Sequence, residues 1–212
     1  MRILFASLRL FFAAAGGTAI VATTVDTASR VTINPFNFFG FFTIQSNIIA
    51  VVVFLVLALA TFAGQPTSKP LQLARACATT YIVVVGIVYN TLLVGLEGGI
   101  SLEWANWVLH VALPIYAAID WILFGDRSKL PWNRYWIVLI YPIFWIIVVL
   151  TRGATDGWVP YPFLDPSLGY GVVALYCIAI AIAIGVVGAG VWALSNVRIL
   201  KAATDRRHTT RR

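Results

Sequence analysis

The chain has 212 residues, of which 60% are hydrophobic and only 11% are charged. Soluble domains have about 25% charged residues, so this composition excludes an ordinary water-soluble protein and predicts one that is solvated mainly by lipid. The net charge of +7 owes much to a basic stretch at the C-terminus, residues 198–212. We interpret this stretch as a cytoplasmic tail that signals topology and contacts anionic lipid. Nucleic-acid binding is not expected, because the charge does not lie on a folded domain.

The apolar residues fall into six stretches, and no part of the chain is left over for a separate soluble domain. Each stretch is close to the ~17–25 residues that a helix needs to cross a bilayer. The first could also be a signal peptide, but we expect it to be retained, because it is long enough to span and its cleavage pattern is poor. The sequence therefore predicts an all-α membrane protein, a single domain of six transmembrane helices at about residues 3–25, 38–63, 77–96, 104–124, 135–151 and 169–197.

The basic residues predict the orientation of this domain. If the N-terminus, the second and fourth loops and the C-terminus share one side of the membrane, that side holds 13 of the 15 Lys and Arg residues. Only Arg30 and Arg152 lie on the other side. The positive-inside rule then places both termini in the cytoplasm.

Polar residues of three different helices fall at similar depths in this arrangement. At 1.5 Å per residue, Thr43 lies ~7 Å below the outer membrane boundary, and His110 and Asn90 lie ~9 Å below it. Ser46 and Asn47 share the helix face of Thr43, because they follow it by three and four residues. We expect Thr43, Asn90 and His110 to form one polar layer, with Asn47 one turn deeper than Thr43.

A hydroxyl and an imidazole at one depth are the minimum parts of a nucleophile and its general base. Thr43 would attack an ester carbonyl, His110 would take its proton, and Asn47 or Asn90 would stabilise the oxyanion. The alternative is a packing role, because membrane helices often use such side chains to bond to their neighbours. The His110 carbonyl also needs a partner, since Pro114, four residues later, has no N–H to donate to it.

The loop at residues 152–168 is long and rich in proline and aromatic residues. Trp158, Tyr161 and Phe163 are expected at the level of the lipid headgroups. They would either anchor the loop in the interface or form a lid that guides substrate into the polar layer.

Asp120 is an acidic residue deep in the fourth predicted helix, and such a group is expensive in a membrane unless it is paired. We expect it to pair with a basic residue of a neighbouring loop, with Arg127 close by in sequence. The alternative is a proton relay in a transporter. No metal site and no cofactor are predicted, because the ligand clusters they need are absent from the sequence.

Three stretches carry a resemblance to a known family: FFTIQSN at 41–47, LHVALPIYAAIDW at 109–121 and GWVPYPFLDP at 157–166. They resemble six-helix integral membrane proteins that include bacterial members and the animal androgen-induced proteins, which hydrolyse fatty acid esters of hydroxy fatty acids. The chain is most similar to the bacterial branch. The resemblance implies that Thr43 is the nucleophile and His110 its partner, and it fits a bacterial inner (plasma) membrane.

Our leading hypothesis is an intramembrane lipid-ester hydrolase whose partners are membrane lipids and a lipid-ester substrate. The alternative is a non-catalytic protein that binds or carries a lipid or a small solute, in which the polar layer only holds helices together. A third possibility is proton-coupled transport through Asp120.

Overall fold

The computed structural model describes residues 1–95, 101–197 and 199–200. Most of the predicted basic tail, residue 198 and residues 201–212, therefore lies outside the described residues. Within the described part, six helices are long and apolar enough to cross a membrane, which confirms the predicted fold class. We number them α1 to α6 in chain order: Arg2–Arg30, Phe42–Phe62, Lys69–Leu93, Glu103–Leu123, Trp132–Thr155 and Tyr170–Leu194.

Two helices begin four or more residues away from the predicted start. The predicted second helix started at residue 38, but a separate short helix, Pro35–Phe38, precedes α2 and is capped by the Asn34 side chain. The predicted third helix started at residue 77, whereas α3 begins at Lys69, where the Ser68 hydroxyl caps it. Its first turn was taken for a loop because it is polar, yet Ser and Pro are favoured at a helix start.

The centre of the bundle is α3, which packs against α2, α4 and α6, while α1 packs along α2. Small residues allow the closest approaches. A Cβ on Gly86 of α3 would lie 2.8 Å from the Pro114 ring of α4, and one on Gly16 of α1 would lie 2.8 Å from Val51 of α2. The two last helices, α5 and α6, bury the smallest share of their residues. Their outward sides are therefore the most lipid-facing part of the protein.

The two ends of the bundle differ in chemistry. At the end where α1 begins and α6 ends, which we call the terminal face, four charged side chains bond to one another: Arg9, Arg75, Asp120 and Asp126. At the opposite end, which we call the site face, the start of α2 meets the loop between α5 and α6 through Thr43 and Tyr161.

Candidate functional site

Thr43 lies in the first turn of α2 and is only 7% exposed. Its backbone N–H donates to the phenolic oxygen of Tyr161 at 3.1 Å, and its hydroxyl oxygen lies 3.2 Å from the same atom. Tyr161 comes from the α5–α6 loop, which the sequence predicted as either an interfacial anchor or a lid. The loop residue and the predicted nucleophile are therefore in direct contact.

The amide of Asn47 joins Thr43 to the helix that carries His110. Its nitrogen donates to the Thr43 carbonyl at 2.9 Å and to the Leu109 carbonyl of α4 at 3.3 Å. Leu109 precedes His110 in the chain. Thr43 and His110 thus lie on facing turns of neighbouring helices.

His110 is 5% exposed and lies in a π-helical turn, Val108–Ala112. Its Nδ1 lies 3.0 Å from the carbonyl oxygen of Asn106. A carbonyl oxygen only accepts, so Nδ1 carries the proton and Nε2 carries the lone pair. The ring stacks on Tyr89, with the ring centres 3.8 Å apart. The backbone therefore fixes the tautomer in which Nε2 can act as a base.

Asn90 supplies the partner that the His110 carbonyl was expected to need. Its amide nitrogen donates to that carbonyl at 3.3 Å and to the carbonyl of Gly86 at 2.7 Å. The amide nitrogens of both Asn47 and Asn90 are thus bonded to backbone carbonyls. Neither residue is free to donate to an oxyanion in this structure.

An apolar cavity of about 130 Å³ borders Thr43. Its walls come from α3, α5 and α6, and Phe42 and Thr43 of α2 and Tyr161 and Phe163 of the loop also line it. Ser46 is fully buried and does not line this cavity. Of the two neighbouring hydroxyl residues, Thr43 is the one that a ligand in the cavity would meet.

Trp158 has a different place from the other two residues of the predicted lid. It packs edge-on against Phe41 and lines a second, more exposed groove beside α5. A Cβ on Gly40 would lie only 2.5 Å from the Trp158 ring. Trp158 therefore holds the chain just before α2, while Tyr161 and Phe163 border the cavity.

The structure does not join Thr43 and His110 by a hydrogen bond, because the Thr43 hydroxyl bonds to Tyr161 instead. Burial raises the pKa of the Tyr161 hydroxyl. Tyr161 is therefore a neutral phenol near pH 7, which excludes it as the resting-state base for Thr43. A base for Thr43 has to come from elsewhere, and His110 has the right tautomer.

The sequence did not point to Tyr89, which lines the cavity and stacks on His110. Its hydroxyl accepts a hydrogen bond from the Asn106 amide at 2.5 Å. Tyr89 is four residues after Val85, which also lines the cavity. Helical spacing could therefore have placed both residues on the same side of α3.

Asp120 is paired with basic residues, as predicted, but its partners belong to helices and not to a loop. Its two carboxylate oxygens accept from Nε of Arg9 and Nε of Arg75, both at 2.8 Å, and these arginines belong to α1 and α3. Asp126, in the loop after α4, bonds to the same two arginines. Burial would raise the pKa of Asp126, but the charges and hydrogen bonds of Arg75 and Arg9 outweigh it, and the pKa lies well below its usual range.

This cluster of two arginines and two aspartates has formally balanced charge and is almost fully buried. Its members come from α1, α3, α4 and the following loop, so it fastens these elements together at the terminal face. Full satisfaction of the Asp120 carboxylate favours a structural role over a proton relay.

Comparisons with protein-family models, with curated proteins and with solved structures give no match.

Proposed function

We propose that this multi-pass membrane protein hydrolyses lipid esters, of the fatty acid ester of hydroxy fatty acid type, with Thr43 as nucleophile and His110 as general base. The observation that carries the proposal is the position of Thr43 beside an apolar cavity. An apolar cavity suits an acyl chain, and a hydroxyl beside it suits attack on the adjoining carbonyl. The resemblance of the three sequence stretches supports the same activity.

The proposed reaction has two steps. Oγ1 of Thr43 attacks the ester carbon, its proton passes to Nε2 of His110, and the same proton then goes to the departing alkoxide, which leaves as an alcohol. Water next attacks the acyl–Thr43 ester, with His110 again taking and returning a proton. The fatty acid leaves and the Thr43 hydroxyl is restored.

The reaction requires the Thr43 side chain to turn from Tyr161 toward His110 when an ester binds. Such a change is ordinary, because catalytic hydrogen bonds often form only in the substrate complex. The substrate oxygen would then find two donors in place, the Thr43 backbone N–H and the Tyr161 hydroxyl, which bond to each other in this structure. These two groups replace Asn47 and Asn90 as the proposed oxyanion donors.

The proposed location is a bacterial inner membrane with both termini in the cytoplasm. Thirteen of the 15 basic residues support this orientation. The terminal face, with its charged cluster, would then be cytoplasmic, and the site face would receive substrate from the outer leaflet.

The test is covalent labelling of the purified protein in detergent with a lipid-like fluorophosphonate, with the modified residue located by mass spectrometry. The parent is compared with Thr43→Val, which keeps the shape of the side chain and removes the hydroxyl, and with His110→Gln. Ser46→Ala is the matched control, because Ser46 is a buried hydroxyl of the same helix that does not line the cavity.

Labelling at Thr43 that is lost in Thr43→Val and His110→Gln, and kept in Ser46→Ala, is the expected result. Labelling at another residue, or no labelling of a folded and monodisperse protein, would contradict the proposal.

A second candidate function is non-catalytic binding of a lipid, and one observation favours it. The Thr43 hydroxyl is engaged with Tyr161, which is what a structural lock between α2 and the loop would require. Under this function, Thr43→Ser preserves lipid binding, and no variant of His110 alters anything except the yield of folded protein.

A further inference from the structure

The cavity beside Thr43 has a closed end that lies deep in the bundle. The deepest lining residues on its three walls are Val84 of α3, Leu139 of α5 and Ile184 of α6. Val84 and Ile184 are buried. We call these three side chains the floor of the cavity.

The bundle is tightly packed directly beneath the floor. One turn below Ile184, a Cβ on Gly188 would lie 3.3 Å from the Tyr135 ring, 3.4 Å from Val138 and 3.6 Å from Thr80. The Tyr135 hydroxyl also donates to the Gly185 carbonyl at 2.5 Å. The three helices meet here without room for a chain, so a ligand cannot extend further.

The length of the cavity follows from the helices that form its walls. The lining residues extend from Leu139 to Ile146 on α5 and from Cys177 to Ile184 on α6. Seven residues of helix correspond to about 10 Å. The volume of about 130 Å³ sets a tighter limit than this length. An apolar cavity of about 150 Å³ binds benzene, so this cavity accommodates about six carbons.

We propose that the cavity selects the acyl group by length, so that the substrate is an ester of a medium-chain acid of about six carbons. The acyl carbonyl lies at Thr43, the chain runs inward along α3, α5 and α6, and its end meets Val84, Leu139 and Ile184. The alcohol part stays outside the cavity, under the loop. This inference rests on the proposed function for the position of the carbonyl.

The wall of α5 offers a route from the lipid. Ile143 lines the cavity and is 51% exposed on the surface that faces the bilayer. A chain can therefore enter sideways between α5 and α6, and it need not pass through water. Transfer of the acyl chain from the membrane to the cavity then costs little free energy, because both environments are apolar.

The experiment measures hydrolysis of p-nitrophenyl esters with 4 to 16 acyl carbons in detergent, for the parent, Ile184→Ala and Ile184→Phe. The parent is expected to be fastest at about six carbons. Ile184→Ala should move the optimum up by about two carbons, since isoleucine extends two bonds beyond the alanine methyl, and Ile184→Phe should move it down. Ile182→Ala is the matched control with an unchanged optimum, because Ile182 is 60% exposed on the same helix.

A binding measurement separates this inference from the proposed function. Cys177 is a free thiol on the cavity wall. Its alkylation by a maleimide is followed by mass spectrometry in Thr43→Val, with alkyl methyl ketones of 6 to 16 carbons as protecting ligands. At each chain length, the protection of Cys177 is compared as a ratio between the Ile184 variants. These ratios do not depend on how much ligand partitions into the micelle.

Protection whose optimum shifts with Ile184, together with no hydrolysis by the parent, would support the length selection and overturn the hydrolase. Hydrolysis with no length optimum, or with one that is the same in both Ile184 variants, would overturn the length selection.

Discussion

The phenolic oxygen of Tyr161 lies 3.2 Å from the hydroxyl of Thr43 and accepts the Thr43 backbone N–H at 3.1 Å. A residue more than a hundred positions away therefore completes the first turn of α2, whose preceding residue, Phe41, offers no side-chain cap. Because an N–H at a helix start lacks a partner within the helix, this contact fixes both the backbone and the side chain of Thr43.

Tyr161→Phe tests whether this contact matters for turnover. The variant keeps the ring, which stacks on Phe163, and removes the oxygen. Loss of a buried hydrogen bond costs about 1–3 kcal/mol, so we expect hydrolysis of a medium-chain ester to fall roughly tenfold to a hundredfold. Tyr176→Phe is the control, since Tyr176 also packs against Phe163. An unchanged rate in Tyr161→Phe would argue against a role for the phenol.

Gly40→Ala tests the close approach between the start of α2 and the loop. The new methyl group would lie 2.5 Å from the Trp158 ring and 2.6 Å from the carbonyl oxygen of Phe36. The Phe36 contact is with backbone, so the segment before α2 has to shift as well as the Trp158 ring, and we expect a loss of stability of about 1–3 kcal/mol. The measurement is thermal unfolding in detergent.

Gly190→Ala is the matched control for this substitution. A Cβ there meets nothing within 4 Å, and the residue lies inside α6. Alanine is the better helix former, so this variant should be as stable as the parent or more stable, by up to about 1 kcal/mol. Equal effects of the two substitutions would contradict the predicted role of Gly40.

Asp120→Ala should destabilise the protein strongly. It leaves Arg9 and Arg75 buried with only Asp126 to balance them, and removing one partner of a buried ion pair typically costs about 3–5 kcal/mol. The readout is the yield of monodisperse protein and its unfolding temperature. Asp26→Ala breaks an exposed pair with Arg30 and should cost less than about 1 kcal/mol. If Asp120→Ala is as stable as Asp26→Ala, the cluster does not fasten the terminal face.

Acid should weaken the same cluster through Asp126. The pKa of Asp126 is lower in the folded protein than in the unfolded chain, where it is about 3.9. The stabilisation is thus fully present above about pH 4 and is lost as the pH falls through the lower, folded-state pKa. We expect the unfolding temperature in detergent to fall between about pH 5 and about pH 3.

Asp126→Asn should be less stable than the parent near pH 7 and should lose less stability between the same two pH values. Asp156→Asn is the control, because Asp156 forms an exposed pair with Arg152 that contributes little. If the unfolding temperature fell equally steeply with pH in Asp126→Asn and in the parent, Asp126 would not be the group responsible for the acid sensitivity.

The sequence alone determined the number and approximate positions of the spanning helices, and it assigned three polar residues to one level of the bundle. Apolar length identifies a spanning helix because lipid cannot satisfy exposed backbone groups. Helical rise then predicts one depth for Thr43, Asn90 and His110. The proline at position 114 indicates that the His110 carbonyl needs a donor from outside its own helix. These inferences use only distance along one helix axis, which the residue number gives directly.

Only the tertiary structure decided which side chains meet. Arg9 and Arg75 were interpreted as topology signals, yet they are the buried partners of Asp120. The bond between Thr43 and Tyr161 and the cavity between α3, α5 and α6 were likewise invisible in the sequence. The physical reason is that contact depends on how each helix is rotated and on which helices are neighbours. Both follow from packing over the whole bundle, and neither is encoded in the hydrophobicity of a single segment.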